Sequence, residues 1–317
     1  MKCAGKGTKK DSMETPQKSI FHYTPGMLVA IYFVLTACCL LLGSLISFSI
    51  VGAVMHVGFS EMGTFFLQPE NAPIAQFANA LASIISFGIP PFIIAKLQAQ
   101  QVAPYLGLQQ QWNLKQLTIV IILGFAGLLV SGALGDLSEK IPMSQSMKFW
   151  ADGLENQYKN AIQAMTRMNG IVDLLYALLA VALIPAIVEE LFFRSGLQHL
   201  LSKWLDNPWM GIIVTSIVFS AFHFSFYGFL SRLSLGIILG AVYYFTGSIR
   251  LSMCMHFINN AVGVITLYMV RNDVQKIDQV INGHLHLSWL LLAGIVSIYL
   301  LIQLKKSADH ERLGESI

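Results

Sequence analysis

Three short groups of polar side chains interrupt apolar stretches in the second half of this 317-residue chain. The first is Glu189-Glu190-Leu191-Phe192-Phe193-Arg194, the second Phe219-Ser220-Ala221-Phe222-His223, and the third His256-Phe257-Ile258-Asn259-Asn260. Carboxylate, imidazole and carboxamide are the groups that peptide hydrolysis draws on. It needs a base to activate water and hydrogen-bond donors for the oxyanion that forms. On helices, Glu190 and Arg194 are four apart with the acid N-terminal, the favourable order for an ion pair. Glu189 points about 100° away around the helix and has no cation at that spacing. Both acids fall near the C-terminal end of the expected helix, where carboxylates oppose the macrodipole, so helix stability does not account for them. Phe219 shares a face with His223, and His256 shares one with Asn260.

Taken singly, each group has a plain structural reading. The first is a helix end reaching water, with its charges snorkelling to the interface. His223 is a packed core histidine, and His256 with Asn260 is hydrogen-bond glue between helices. Glu189, His223 and His256 also form a possible zinc set with water in the open position. Metal-independent chemistry is preferred, because a directly acting Glu189 needs no ligand geometry; zinc stays as the alternative. Other protease signatures fail. Gly132-Ala133-Leu134-Gly135-Asp136 has leucine where a GxGD motif needs its first glycine, no GxSxG occurs, and the one His-Glu step, His310-Glu311, continues as Arg312-Leu313-Gly314 rather than HExxH. A transporter would also use buried Glu and His, but the ionisable groups gather in one half without an inverted repeat.

The elements that hold these groups are read from hydropathy. The chain is 55% hydrophobic and only 12% charged, with a mean hydropathy of +0.62. Apolar stretches long enough to cross a bilayer as helices lie near 27–51, 73–95, 116–135, 171–193, 209–229, 233–249, 251–270 and 286–304. The sixth is short, with Arg232 at its start. Residues 1–25 read as a polar, disordered tail. The apolar run after them is too long for a cleaved signal and continues well past the lipoprotein-like Leu35-Thr36-Ala37-Cys38, so it reads as an uncleaved first helix. Cys3, Cys38, Cys39 and Cys254 make no metal or disulfide pattern. Pro90 and Pro91 are expected to kink the second helix.

Two further helices are expected to lie on the surface: one through Trp150, Leu154, Tyr158, Ile162 and Met165, and one through Leu197, Leu200, Leu201, Trp204 and Leu205. Asn207-Pro208 reads as the cap and first turn of the next span. At about 1.5 Å per residue, Glu189 comes about 9 Å from a helix end near Gly196 and His256 about 10 Å from one near Ile249. His223 comes about 22 Å from Pro208, too deep by several ångströms.

The order EExxxR, FxxxH, HxxxN in an apolar background resembles the motif set of the CAAX-protease and bacteriocin-processing (CPBP, Abi-type) family of intramembrane peptidases, over roughly residues 171–270. The resemblance implies an all-α polytopic membrane protein of about eight helices, with a peptidase core at 171–304 in helices four to seven. An N-terminal membrane part would cover 26–170 and a short tail 305–317. It also implies roles: Glu189 as the base, His223 holding the same water, and His256 and Asn260 donating to the oxyanion. Glu190 and Arg194 would pin the Glu189 helix, and Phe219 would pack beneath His223. Family members have been described both as metalloproteases and as metal-independent glutamate proteases. The implied partners are the bilayer and a membrane-associated protein or peptide substrate, whose identity is not legible; no nucleic-acid footprint is present. A catalytically silent scaffold is the alternative.

Thirteen of the 20 lysines and arginines fall on the side of the two termini, and four of the other seven lie in one loop, 136–170. The positive-inside rule therefore places both termini in the cytoplasm of a multi-pass protein, and the short tails and loops fit a bacterial inner membrane. Cysteine-accessibility labelling of intact cells is expected to mark a cysteine at position 152 and not one at position 10; the reverse pattern overturns the orientation.

Overall fold

The computed structural model describes residues 23–99, 101–281 and 288–314; most of the expected N-terminal tail lies outside them. No strand occurs among the described residues, and seven helices are long and apolar enough to cross a membrane. The protein is an all-α polytopic membrane protein. In chain order the main helices are α1 (Pro25–Met55), α2 (Pro69–Gln98), α3 (Leu114–Glu139), α4 (Gln145–Met165), α5 (Ile171–Trp204), α6 (Pro208–Ala221), α7 (Phe229–Thr246), α8 (Ile249–Met269), α9 (Val274–Ile281) and α10 (Ser288–Gly314). Helix α4 is the first of the two expected surface helices. Helix α10 continues to Gly314, into the segment expected to be a tail.

The apolar segments form helices because lipid offers no partner to a free N–H or C=O. Their ends carry the expected local signals. Asn207 Oδ1 accepts from the backbone N–H groups of Trp209 and Met210, and Pro208 opens α6. Asn113 and Gln116 form a capping box at the start of α3. In α2 the regular ladder gives way to a π-helical turn at Ile84–Gly88, just before Pro90-Pro91. A proline removes one i→i−4 bond and its ring crowds the carbonyl a turn back, so the preceding turn widens. Pro185 in α5 follows the π segment Leu178–Leu183 in the same way.

Two boundaries differ from expectation, and both matter for the site. The stretch expected to be a separate surface helix at 197–205 is the continuation of α5, with Leu197, Leu200 and Leu201 buried. A second π segment, Leu191–Gln198, carries α5 past the acids, and the Tyr32 hydroxyl of α1 donates to the Phe192 carbonyl at 2.8 Å inside it. The other boundary is α6, which stops at Ala221 instead of running to 229. At about 1.5 Å per residue it is about 21 Å long, short of a bilayer core of about 30 Å. Aromatic residues continue the hydropathy through 222–229, but the backbone leaves the helix. Phe224 is left-handed, at φ 50°, a conformation costing a non-glycine residue about 1–2 kcal/mol.

Small residues allow the close approaches around α5 to α7. Gly236 lies against Ser216 of α6, and Gly196 leaves room for the Tyr32 hydroxyl. Gly196→Ala is therefore expected to lower stability by about 1–3 kcal/mol through overpacking. Gly263→Ala in α8, where a Cβ meets nothing within 4 Å, is expected to be neutral or stabilising through helix propensity. Thermal melts of the two variants in detergent check this; equal melting temperatures would contradict the packing argument.

Candidate active site

Adjacent acids on α5 take opposite environments. Glu190 is fully buried, whereas the Glu189 side chain keeps 16% of its surface exposed. The π-helical turn after Glu190 sets Arg194 beside it, with Nε 3.2 Å from Glu190 Oε2 and both side chains buried. Helix α8 supplies two more donors to the same carboxylate: Ser252 Oγ donates to Oε2 at 2.6 Å and His256 Nδ1 donates to Oε1 at 2.9 Å. The bond to Glu190 fixes which imidazole nitrogen is engaged, so the other, Nε2, points to the working side. It lies 3.9 Å from Glu189 Oε2, beyond a direct hydrogen bond and within the reach of one bridging water.

Phe219 of α6 separates the charged layer from the second histidine. Its buried ring meets His256 edge-on at 5.8 Å, His223 at 4.8 Å and Phe193 at 5.1 Å, and the Arg194 guanidinium lies 5.2 Å from its centroid. The terminal nitrogens of Arg194 have no hydrogen-bond partner among the described residues, so the aromatic face is part of what holds that cation in place. His223 lies in the turn after α6, where its Nδ1 donates to the Phe219 carbonyl at 2.8 Å, leaving Nε2 as an acceptor.

The expected site residues are thus brought together unequally. Glu189, Glu190, Arg194, Phe219 and His256 form one contiguous group, and His223 joins it through Phe219 and lies close enough to interact electrostatically with His256. Asn260 follows His256 by one turn on α8 and is half-buried; its Oδ1 accepts only weakly, from Asn259 at 3.5 Å. No hydrogen bond among the described residues ties Asn260 to Glu189 or His256. Arg194, counted from sequence as a flanking charge, is instead fully buried in the interior of α5.

The longer α5 changes the depth comparison for His223. Glu189 precedes the end of α5 at Trp204 by as many residues as His223 follows the start of α6 at Pro208, about 22 Å in each case. His256 stays about 10 Å from the start of α8 at Ile249, so the ends of α5, α6 and α8 do not share one depth.

Ser252 was missed in the sequence. Its signal was present, since Ser252, His256 and Asn260 repeat every four residues along one face of α8. A second set of missed groups lies on α4. Glu155 Oε2 accepts from Ser225 Oγ at 2.9 Å and from the Tyr227 N–H at 3.3 Å, and the Tyr227 hydroxyl donates to Asp152 at 2.6 Å. That last bond, in the turn outside the spanning helices, pushes the Tyr227 pKa up to about 12.

Among the described residues no three His, Cys, Asp or Glu side chains are grouped to hold a metal ion. One ring nitrogen of His256 is taken by Glu190, and one of His223 by a carbonyl.

Comparison with known proteins agrees with the motif order. Residues 171–262 match the family model described as type II CAAX prenyl endopeptidase Rce1-like, less than a third of the chain, and that segment contains all three polar groups. No curated protein matches, and no solved structure matches.

The two acids are expected to separate in stability measurements. Glu190→Gln leaves Arg194 buried without its counter-charge, and breaking such a pair costs about 3–5 kcal/mol. Glu189→Gln, on the accessible side, is expected to shift the melting temperature little, and Ser252→Ala to cost about 1.5–3 kcal/mol as a lost bond to a charged group. Melting in detergent ranks the three; a stable Glu190→Gln protein contradicts the assignment of Glu190 as the structural acid.

Proposed function

We propose that this protein is an intramembrane endopeptidase that hydrolyses a peptide bond of a membrane-associated protein or peptide. One observation carries the reading: the only accessible carboxylate of the cluster, Glu189, faces the free nitrogen of a histidine whose other nitrogen is anchored on a buried carboxylate. The Rce1-like match over the same residues supports it. Because that family's description names a prenyl endopeptidase, the C-terminal region of a lipid-modified protein is the first substrate class to examine.

In the proposed reaction, Glu189 takes a proton from water as the oxygen attacks the scissile carbonyl. His223 Nε2 accepts the remaining hydrogen of that water and keeps its lone pair directed at the carbon. Charge develops on the carbonyl oxygen, which needs donors placed in advance. His256 can supply one from Nε2 when its ring carries both protons, with Nδ1–H held on the Glu190 carboxylate. The Asn260 carboxamide, one turn further along α8, supplies the other. As the tetrahedral adduct collapses the C–N bond breaks, and Glu189 returns its proton to the leaving amine. Glu190, Arg194 and Ser252 act by holding His256 and the α5–α8 contact in register.

Glu189→Gln keeps the shape of the side chain and removes the base, so cleavage per folded molecule is expected to fall by about 10²–10⁴-fold. Comparative membrane peptidomics of cells carrying wild-type protein or Glu189→Gln identifies the substrate, and the purified pair measures the rate. Wild-type and Glu189→Gln proteins that give identical peptidomes and identical rates leave the scaffold reading in place of the peptidase.

A further inference from the structure

The turn that carries His223 starts from α6, with the His223 N–H donating to the Ser220 carbonyl at 3.2 Å and the Phe224 N–H to the Ala221 carbonyl at 3.1 Å. Phe224, the next residue, is left-handed without being glycine, and its side chain is 71% exposed, so no packing of its own ring fixes that conformation. The groups that follow it bond to α4 instead. Ser225 Oγ and the Tyr227 N–H both donate to Glu155 Oε2, and the Tyr227 hydroxyl donates to Asp152. The Gly228 N–H closes the turn on Ser225 Oγ at 3.0 Å, and Phe226 meets the Trp150 ring at 5.8 Å.

Glu155 is an unusual residue for a surface helix. It is 7% exposed and makes no ion pair at salt-bridge distance among the described residues. The nearby cation of α7, Arg232, lies instead over the Tyr158 ring of α4, at 4.5 Å from its centroid. Burying a carboxylate is costly unless its oxygens are bonded, and the bonds that Glu155 makes all go to the 225–227 turn. Asp152, Glu155 and Tyr158 follow at three-residue spacing, so one face of α4 is built to grip this turn.

We propose that Glu155 is a positioning residue for His223, and that α4 is a clamp completing the active site from outside the 171–262 segment. The inference rests on the reading of His223 as a group that holds the reacting water. In this role Glu155 is a positioning residue and not one that contacts the reacting atoms. It acts by holding the left-handed turn, and through it the imidazole whose Nδ1 is bound to the Phe219 carbonyl.

The test uses the full-length protein in detergent or nanodiscs, as wild type, Glu155→Ala, Glu155→Gln and Ser225→Ala. Three readouts are taken: deuterium exchange of the peptide covering 222–229, the imidazole nitrogen signals of His223 in histidine-labelled protein, and kcat and KM on a quenched peptide that the wild type cleaves. Glu155→Ala is expected to speed exchange in that peptide at least tenfold and to replace the single His223 tautomer by an averaged signal. It should also lower kcat at least tenfold with KM within about threefold. Glu155→Gln, which retains an acceptor, should restore all three to within about threefold, and Ser225→Ala should move them the same way by a smaller factor.

Unchanged exchange and an unchanged imidazole in both Glu155→Ala and Ser225→Ala overturn the clamp. A loosened turn with kcat unaltered overturns the positioning role while leaving the peptidase reading intact. If the exchange and imidazole readouts respond as expected but the wild type cleaves no peptide, it is the peptidase reading that fails and the hold of Glu155 on His223 that stands.

Discussion

The carboxylate of Glu190 is the point on which the polar interior depends. It takes one donor from its own helix, Arg194, and two from α8, Ser252 and His256, with no access to solvent. Each of these groups would be expensive to bury alone, since an unpaired charge in a dry interior costs several kcal/mol. Together they satisfy the acid completely and fix the α5–α8 contact to one register. A sliding of either helix by one residue would leave the carboxylate facing apolar side chains. Helix packing in lipid lacks a hydrophobic drive between helices, so a polar contact of this kind is well suited to choosing a single arrangement.

That contact also explains why two neighbouring acids differ. Residues 189 and 190 point about 100° apart on α5. One is directed into the α8 interface and is saturated with donors; the other is directed to the face where it retains some exposure and sees only the far nitrogen of His256. The same imidazole serves both, tied down on one side and available on the other. Phe219 completes the layer, with its ring contacting Arg194, His223 and His256 at once.

Irregular backbone surrounds this arrangement. The π segments of α5 bracket the acids, and the short α6 gives way at His223 to a turn with a left-handed Phe224. Non-helical backbone at membrane depth survives only where protein groups satisfy it. Here Glu155 of α4 accepts from the Tyr227 N–H, and Asp152 from the Tyr227 hydroxyl, from a part of the chain that precedes the matched family segment. The N-terminal helices contribute in the same sense, as the Tyr32 hydroxyl of α1 bonds into the π turn of α5.

The sequence by itself determined the class of the protein, because a run of about 20 apolar residues has few physical options other than a spanning helix. It also singled out Glu189, His223 and His256 as candidates, since polar side chains in such runs stand out against their surroundings, and it paired Glu190 with Arg194 from four-residue spacing. The Asn207-Pro208 cap was legible for the same local reason. What it could not decide depended on neighbours distant in the chain. Hydropathy saw α6 continuing to residue 229 through a row of aromatics, whereas the backbone leaves the helix after Ala221 and the turn that follows bonds to α4. An amphipathic stripe at 197–205 suggested a separate surface helix, whereas packing against α1 buries its first half and extends α5. Ser252 looked like any small polar residue on a helix, and Glu155 like any surface acid. Local rules set which groups are available and which face they occupy. Which partner each face meets is a matter of tertiary packing, and only there did one carboxylate become the anchor and its neighbour the candidate base.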